Sequence, residues 1–228
     1  MSGVTVTPFS GNVNTGIYSL TSLLNAYGTD VNSSGTVVGF QQSGPTNGNR
    51  RQGFVGKLDG TFNLLPIDPA YMNRLAQGVN DAGTIVGYSY NSNSAYQPFI
   101  FKDGKYEYFL KGQGFASSIA VYVNDDMVAG NVFNASQEFA FLYSDNVFKK
   151  IGTFGGQYNS FIGNINTLND AVGISVNAGG LNLPFIHIGT DRNINGIDFK
   201  AGSEFLLPEF NLGGLQLNKL TGIDVSMP

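Results

Sequence analysis

The chain of 228 residues contains no cysteine and a single histidine, His187. The absence of cysteine excludes disulfide bonds, thiol nucleophiles and thiolate metal sites. A lone histidine excludes a multi-histidine metal site, and any histidine-based catalytic constellation must use His187. We therefore expect neither a bound metal nor a cofactor.

Charge and long apolar runs are also scarce. Charged residues make up 12% of the chain, about half the usual share, and the net charge is −4. Basic residues are adjacent only at Arg50-Arg51 and Lys149-Lys150, so there is no positive stripe for a phosphate backbone and we expect no nucleic-acid partner. No apolar run reaches the length that spans a membrane, and residues 1–6 lack the basic start and apolar region of a signal peptide.

A degenerate unit recurs along the chain. Its clearest first half is Val79-Asn80-Asp81-Ala82-Gly83-Thr84-Ile85-Val86-Gly87, and related stretches begin at Val31, Val123, Ile165 and, more weakly, Leu217. Its second half centres on a phenylalanine, found at Phe9, Phe54, Phe99, Phe139 and Phe185. The fifth copy is thus split between the two ends of the chain. Periods of about 40 to 50 residues indicate solenoids, propellers or arrays, and a repeat shared by both termini favours a closed ring.

Each unit has the turn and strand signals of four β-strands. In the second unit, Asn80 to Gly83 and Asp103-Gly104 supply turns between runs of β-branched and aromatic residues. We therefore predict an all-β fold, a five-bladed β-propeller of four-stranded antiparallel blades, closed by pairing of N- and C-terminal strands. Residues 68–77 are predicted to hold a helical turn. The single domain 1–228 has approximate blades at 24–66, 75–111, 118–152, 161–200, and 213–228 completed by 4–20.

These motifs resemble the bacterial extracellular repeat called HAF. Ile151-Gly152-Thr153-Phe154-Gly155-Gly156 with Ile165-Asn166 matches the first part of that repeat, and Val79 to Gly87 matches the second. The aromatic strand lacks the tryptophan that many such repeats carry. The resemblance implies a repeated β-architecture, often on exported proteins, with no shared catalytic residues, and so favours an extracellular location.

The repeat gives structural explanations for most residues that could carry chemistry. His187 occupies the column of Phe101 and Phe141, so we interpret it as a core substitution. The repeated asparagines are interpreted as backbone-bonding turn residues. Acids outside the turns remain unexplained: Asp30, Asp126, Asp198 and Asp224. Asp30 precedes a Val-Asn pair where the other units have Gly78, Tyr122, Asn164 and Gln216, so a pair of carboxylates there is not expected.

The loops between second and third strands differ most among the units. Several place neutral amides beside aromatic side chains, a combination that suits a neutral polar ligand. The candidate ligand-binding residues are Gln42, Asn49, Arg50, Tyr90, Asn91, Asn93, Tyr96, Gln97, Asn131, Asn134, Gln137, Asn177 and Asn182.

These loops lead us to predict a non-enzymatic, lectin-like propeller with several weak, repeated carbohydrate sites. The alternatives are a structural or protein-interaction propeller and a glycoside hydrolase with an axial acidic site. The expected partner is carbohydrate or another neutral polar ligand, with a protein as a further possibility and a monomer favoured.

Overall fold

Twenty β-strands run through the part of the chain that the computed structural model describes. The described residues are 9–12, 16–19, 25–43, 50–57, 60–91, 95–125, 127–135, 137–154 and 158–207. The chain divides into two compact units, residues 1–123 and 124–228. Among the described residues, no helix has the length and apolar character needed to cross a membrane.

The first unit begins with a two-stranded sheet of β1 (Phe9–Asn12) and β2 (Gly16–Ser19). The next sheet has four strands in chain order, β3 (Ala26–Val31), β4 (Val37–Gln42), β5 (Arg51–Gly56) and β6 (Phe62–Leu64). Another four-stranded sheet repeats this order with β7 (Asn73–Val79), β8 (Ile85–Tyr90), β9 (Gln97–Lys102) and β10 (Lys105–Tyr108).

Two further four-stranded sheets follow. The third has the order β11 (Ser117–Asn124), β12 (Met127–Phe133), β13 (Glu138–Ser144) and β14 (Val147–Ile151). The fourth consists of β15 (Asn159–Ile165), β16 (Ala171–Val176), β17 (Asn182–His187) and β20 (Glu204–Leu206). Between β17 and β20 the chain forms a separate hairpin of β18 (Arg192–Ile194) and β19 (Ile197–Phe199).

These sheets confirm the prediction of an all-β chain built from four-stranded antiparallel sheets. The predicted fifth blade, 213–228 completed by 4–20, lies outside the described residues except for the pair β1 and β2. The helical turn predicted for 68–77 is wrong, because β7 begins at Asn73. Leu75 and Ala76 are buried in this strand, and burial against neighbouring strands outweighs local helix propensity.

A glycine of each second strand lies opposite a phenylalanine of the third strand. The pairs are Gly39 with Phe54, Gly87 with Phe99, Gly130 with Phe141, and Gly173 with Phe185. A Cβ atom at Gly87 would overlap the carbonyl oxygen of Leu75 and come within 2.9 Å of the Phe99 ring. The phenylalanine therefore needs a residue without a side chain beneath it.

This register corrects the predicted alignment in the third sheet. Phe141, not Phe139, occupies the position of Phe99, because Phe139 lies opposite Val132. The successive intervals from Phe99 to Phe185 are then 42 and 44 residues, which is more regular than the predicted 40 and 46.

The repeated asparagines have the structural role that the sequence predicts. Oδ1 of Asn32, Asn80 and Asn166 accepts a hydrogen bond from the backbone N–H four residues later, at 2.8 to 2.9 Å. Their amides also join neighbouring turns, since Asn32 Nδ2 donates to the Asn80 carbonyl oxygen and Asn124 Nδ2 to that of Asn166, both at 2.9 Å. The fifth copy, Asn218, lies outside the described residues.

Candidate functional site

The loops that differ among the units share one end of each sheet with the connectors between sheets. A four-stranded antiparallel sheet returns the chain to the end at which its second strand finished. In the first unit, the connector before β7, the loop between β8 and β9, and the connector after β10 therefore meet at one end of the second sheet. We call the cavity between them the loop-end cavity.

The loop-end cavity has a volume of about 350 Å³, at the lower end of the range for ligand-binding pockets. Three aromatic or aliphatic side chains, two amides and one lysine contribute to its lining, together with alanine and glycine. The lining residues are Ala70, Tyr71, Asn91, Ala95, Gln97, Leu110, Lys111, Gly112 and Phe115.

The first wall of the cavity is the connector before β7, which is held by a buried arginine. Arg74 is 3% exposed, and its Nη1 donates to the carbonyl oxygens of Asp68 at 2.8 Å and Tyr71 at 2.6 Å. Tyr106 Oη donates to the carbonyl oxygen of Pro66 at 3.0 Å. These hydrogen bonds satisfy backbone carbonyl groups of an irregular segment, which has no neighbouring strand to pair with.

Asn91 ties that connector to the loop between β8 and β9. Its Nδ2 donates to the carbonyl oxygen of Ala70 at 3.0 Å, and its Oδ1 accepts from the backbone N–H of Met72 at 2.8 Å. Asn91 therefore shapes the cavity through both polar atoms of its amide. Among the described residues, none hydrogen-bonds the side chain of Gln97, which lines the cavity.

Tyrosines behind the first wall stay protonated well above neutral pH. Burial raises the pKa of Tyr106 to about 12, opposed by the charge of Arg74 and assisted by that of Asp68. Burial is also the main reason that the pKa values of Tyr71 and Tyr108 are raised, and Asp68 adds to both shifts. The ring centroids of Tyr71 and Tyr108 are 4.8 Å apart. The ring of Tyr71, which lines the cavity, therefore packs against a second aromatic ring.

The last wall is the connector after β10. Leu110, Gly112 and Gly114 have positive φ angles of 61°, 78° and 81°. The intervening residues, Lys111 and Gln113, are not among those with positive φ. The Gln113 N–H bonds the Leu110 carbonyl oxygen at 3.4 Å. The chain therefore makes a turn from Leu110 to Gln113 in which the third residue, Gly112, has the positive φ that a type II turn requires.

A tyrosine cluster, formed by Tyr88, Tyr90 and Tyr96, lies at the same end of the second sheet but on its other face, because Tyr88 and Tyr90 alternate along β8 with Ser89, the register partner of Gln97. Tyr96 is 41% exposed and its ring centroid is 5.2 Å from that of Tyr88 and 5.1 Å from that of Tyr90. The backbone of Tyr96 is fixed to the start of β11, since its N–H donates to Ser117 Oγ at 2.7 Å and its carbonyl accepts from Ser118 N–H at 3.0 Å. The ring cluster is consequently anchored and partly open to solvent.

The structure brings four of the candidate ligand-binding residues together at this end of the first unit: Asn91 and Gln97 in the cavity, and Tyr90 and Tyr96 in the tyrosine cluster. Gln42 is the last residue of β4 and pairs with Arg51. Arg50, which directly precedes Arg51 in the chain, is exposed. Asn49 and Asn93 lie outside the described residues.

The candidates of the second unit occupy varied positions. Asn131 lies inside β12, is 9% exposed, and accepts from the Ile162 N–H at 2.9 Å. Asn177 caps its own turn by accepting from the N–H groups of Gly179 and Leu181. The Asn134 N–H bonds the Gln137 carbonyl oxygen, and Asn182 is the exposed first residue of β17.

His187 is a core residue, as the sequence predicts, with a polar environment that the sequence did not reveal. It lies opposite Ala171, in the register position that Phe101 occupies opposite Ile85, and is 3% exposed. Its Nδ1 is 3.1 Å from Glu204 Oε1 and its Nε2 is 3.5 Å from Lys149 Nζ. Because an ammonium group only donates, Nε2 accepts from Lys149 and Nδ1 donates to Glu204.

Asp30 connects two first strands. Its Oδ1 accepts from the Val31 N–H and its Oδ2 from the Val79 N–H, both at 2.8 Å. Burial raises the pKa of Asp30, against the lowering effect of these two hydrogen bonds. Within the described ranges, no group of three or more histidine, cysteine, aspartate or glutamate residues is placed to hold a metal ion. Asp30 therefore has a structural explanation.

The sequence did not indicate Tyr71, Leu110, Lys111 or Phe115, because the candidate residues were taken from the loops between second and third strands and these four lie in the connectors between sheets. A usable signal was present in Gly112-Gln113-Gly114, where two glycines permit repeated positive φ angles. A second usable signal was the even number of strands in each sheet. With four antiparallel strands, the connectors between sheets lie at the same end of the sheet as the loop between its second and third strands.

Comparisons with solved structures define the fold as that of a β-propeller. The β-propeller domain of the trilobed protease from Pyrococcus furiosus, which has an open velcro topology, matches 86% of this chain and 61% of its own, with a TM-score of 0.57 and 13% identity. An acylaminoacyl peptidase in complex with Z-Gly-Gly-Phe-chloromethyl ketone matches 71% of this chain and 25% of its own, with a TM-score of 0.54 and 13% identity. No protein-family model and no curated protein sequence matches the chain.

These comparisons contradict the predicted carbohydrate-binding function. The solved structures that share the fold come from a peptidase and a protease, whereas the prediction relied on loop composition alone. At 13% identity they establish the fold of this chain and no activity.

Proposed function

We propose that this protein is a polypeptide-binding β-propeller module of the type that accompanies peptidases, and that the loop-end cavity receives a short segment of the bound chain. The observation that carries the proposal is the lining of the cavity, which combines the amide of Gln97 with the rings of Tyr71 and Phe115 and includes no carboxylate.

The chemistry of this lining fits a peptide. A peptide backbone offers one donor and one acceptor per residue, and a primary amide such as that of Gln97 can pair with both. Tyrosine and phenylalanine provide large apolar surfaces with little rotamer entropy to lose, which favours contact with peptide side chains. Tyrosine is also enriched in the energetic centres of protein interfaces, which fits the presence of Tyr71 in the lining.

The extent of the comparisons suits a module more than a complete peptidase. The chain spans a quarter of the acylaminoacyl peptidase chain and 61% of the trilobed protease propeller chain. Its single histidine is buried and bonded to Glu204. We therefore assign binding of the polypeptide to this chain and place hydrolysis in a separate catalytic component.

The proposal includes the HAF-type repeat assignment and the arrangement as a closed ring of five blades. Support for both comes from the repeat spacing in the sequence, from the four four-stranded sheets and from the β1–β2 pair. The trilobed protease propeller has an open velcro topology, so the pairing of the two termini is a point on which this chain would differ.

Calorimetric titration with a set of N-acetylated, C-terminally amidated peptides tests the function. Ala95→Trp fills the cavity from an exposed position, and we expect it to abolish peptide binding by steric exclusion. Ala178→Trp is the matched control, because Ala178 is also an exposed loop alanine and lies in the second unit. Binding that survives Ala95→Trp, or is lost equally in Ala178→Trp, would contradict the role of this cavity.

A further inference from the structure

The two faces of the fourth sheet differ in burial. The buried face carries Ser160, Ala171, Ser175, Phe185 and His187. The residues that alternate with this face along the strands are apolar and form what we call the exposed face: Phe161, Val172, Ile174, Pro184, Ile186 and Phe205. Ile174 is 44% exposed and the other five are half-buried. Contiguous apolar surface of this kind marks an interaction site.

The equivalent face is covered in two other sheets. The positions to compare flank the second-strand glycine: Val38 in β4, Asn131 in β12 and Ile174 in β16. Val38 is buried in a core cluster that includes Ala76 of the following sheet. Asn131 is 9% exposed and accepts from the Ile162 N–H of β15, so the fourth sheet lies against this face of the third. By the same pattern, the exposed face of the fourth sheet is where a further sheet would pack.

The chain continues beyond the fourth sheet for long enough to supply further strands. Between successive four-stranded sheets the connectors are residues 65–72, 109–116 and 152–158, which are eight, eight and seven residues long. Because β20 ends at Leu206, a connector of this length brings the next strand to Gly214 or Leu215. Residues 208–228 lie outside the described part of the chain, and they include the copy of the repeat that begins at Leu217. The connector length and the repeat therefore agree on where the next first strand begins.

The sequence of this C-terminal segment fits an apolar sheet face. Leu215 and Leu217 alternate with polar residues, and Ile223 and Val225 lie on either side of Asp224. Such alternation is typical of strands that are buried on one face. A short connector also holds the segment at an effective concentration that is roughly millimolar. The segment of the same chain therefore outcompetes a second copy or another protein for the exposed face.

We infer that residues 213–228 pack against the exposed face of the fourth sheet as a pair of strands, through the side that carries Ile223 and Val225. Burial of apolar surface on both partners drives this contact. Both partners belong to the second unit. The contact is separate from polypeptide binding at the loop-end cavity, and it does not depend on pairing between the two termini.

Thiol labelling of the full chain tests this inference, because the chain has no cysteine of its own. Ile174→Cys places a thiol on the exposed face, and Leu181→Cys is the matched control, since Leu181 is 57% exposed in the turn between β16 and β17. We expect a maleimide to react with Ile174→Cys about tenfold more slowly, because the segment must detach before the thiol is reached. Adding Ile223→Asp introduces a charge into the contact, and we expect it to remove this protection without changing the rate of Leu181→Cys.

Cross-linking identifies the occupant of the exposed face directly. The full-length double variant Ile174→Cys/Val225→Cys is treated with a bismaleimide that spans about 10 Å, the distance between packed sheets. We expect an intrachain product, found by mass spectrometry of the digested monomer, and none from Leu181→Cys/Val225→Cys. Since Ile223 is unchanged in these variants, the cross-link decides the question even if Ile223→Asp fails to fold.

Protection of Ile174→Cys together with the intrachain product supports the inference. Equal labelling rates for Ile174→Cys and Leu181→Cys would overturn it, since the face would then be open to solvent. A product that joins two chains would assign the face to a second copy, and protection without a product joining positions 174 and 225 would assign it to another segment. Both results overturn the inference. Peptide binding at the loop-end cavity is measured separately, so each of these outcomes leaves the proposed function unaffected.

Discussion

Gly87 is required by the groups that surround it, not by its own backbone conformation. Replacing it with alanine would drive a methyl group into the Leu75 carbonyl oxygen and against the Phe99 ring. Overpacking of a rigid core is destabilising, and we expect Gly87→Ala to lower the free energy of unfolding by about 3 kcal/mol. Urea denaturation followed by circular dichroism measures this change.

Gly179→Ala is the control for that substitution. A Cβ atom at Gly179 would approach only the Asn177 side chain, at 3.3 Å, in an exposed turn. We expect its unfolding midpoint to remain close to that of the wild type. Similar midpoints for Gly87→Ala and the wild type would contradict the packing described for this column.

Asp30 makes the free energy of unfolding depend on pH in a direction that can be predicted. Its pKa in the folded protein lies above the ordinary value of 3.8 because burial disfavours the charged form. Its contribution to stability is therefore complete below pH 3.8 and is lost as the pH rises through the folded-state pKa. The difference in unfolding free energy between wild type and Asp30→Asn isolates this effect, since asparagine does not titrate.

We expect that difference to favour the wild type most at low pH and to decline on raising the pH. Urea denaturation of both proteins at a series of pH values measures it. A difference that grows in favour of the wild type with rising pH would mean that the hydrogen bonds from Val31 and Val79 outweigh burial.

The roles of individual residues were predictable where the repeat supplied several examples. Comparison of copies identified the core phenylalanines, the turn asparagines and the buried position of His187. It did not reveal the role of Asp30, because the partner Val79 lies 49 positions away and the equivalent positions hold unlike residues. Nor did it locate Glu204 beside His187, since the hairpin β18–β19 separates them in the chain.

The hairpin of β18 and β19 is attached to the second unit by a buried ion pair. Arg192 Nη1 and Nη2 each lie 2.7 Å from an oxygen of Asp170, which is 4% exposed. Asp170 also accepts from the Gly189 N–H at 2.8 Å and from Asn166 Nδ2 at 3.0 Å. The pair thus connects the hairpin to the turn between β15 and β16.

Removing the arginine leaves a buried carboxylate without its counter-charge. We expect Arg192→Met to lower the unfolding free energy by about 3 kcal/mol, and we expect adding Asp170→Asn to restore part of the loss. Lys200→Met, which breaks the exposed Lys200–Asp191 pair, serves as the control and should leave the unfolding midpoint nearly unchanged. A double variant no more stable than Arg192→Met would argue against the ion pair as the cause.

Strands and tight turns were predictable from local chemistry, whereas irregular segments were not. The predicted hairpin turn at Asp103-Gly104 has positive φ at both residues. The equivalent turn of the third sheet, at Asp145-Asn146, has the same conformation. The start of β7 at Asn73 was missed, because the helix-favouring residues Arg74 and Leu75 are buried in the strand. The two-residue shift between Phe139 and Phe141 was also missed, since both are buried phenylalanines and only pairing with Gly130 distinguishes them.

The proposed closed ring makes the two termini mutually dependent. We expect removal of residues 1–20 to abolish cooperative unfolding of the entire chain, because an open end would expose unpaired strand edges. Calorimetric melting of the truncated and full-length proteins measures this. A truncated protein with a cooperative transition close to that of the parent would contradict ring closure.

The fold class followed from the sequence, but the cavity did not. Repeat length, turn residues and strand patterns together specify a propeller-type architecture. The loop-end cavity is formed by three irregular segments that share no pattern, so the sequence indicated Asn91 and Gln97 without indicating Lys111 or Tyr71. The predicted ligand was wrong because amides beside aromatic rings suit both sugars and peptides, and composition does not distinguish the two.

Photo-crosslinking of a bound peptide tests the central claim most directly. An N-acetylated, C-terminally amidated peptide with one photoreactive residue is irradiated with the full chain, and the linked residues are mapped by mass spectrometry. We predict crosslinks confined to 70–71, 95–97 and 110–115, abolished by Ala95→Trp and retained in Ala178→Trp. Crosslinks distributed over other surfaces, or the same yield in Ala95→Trp, would contradict polypeptide binding at this cavity.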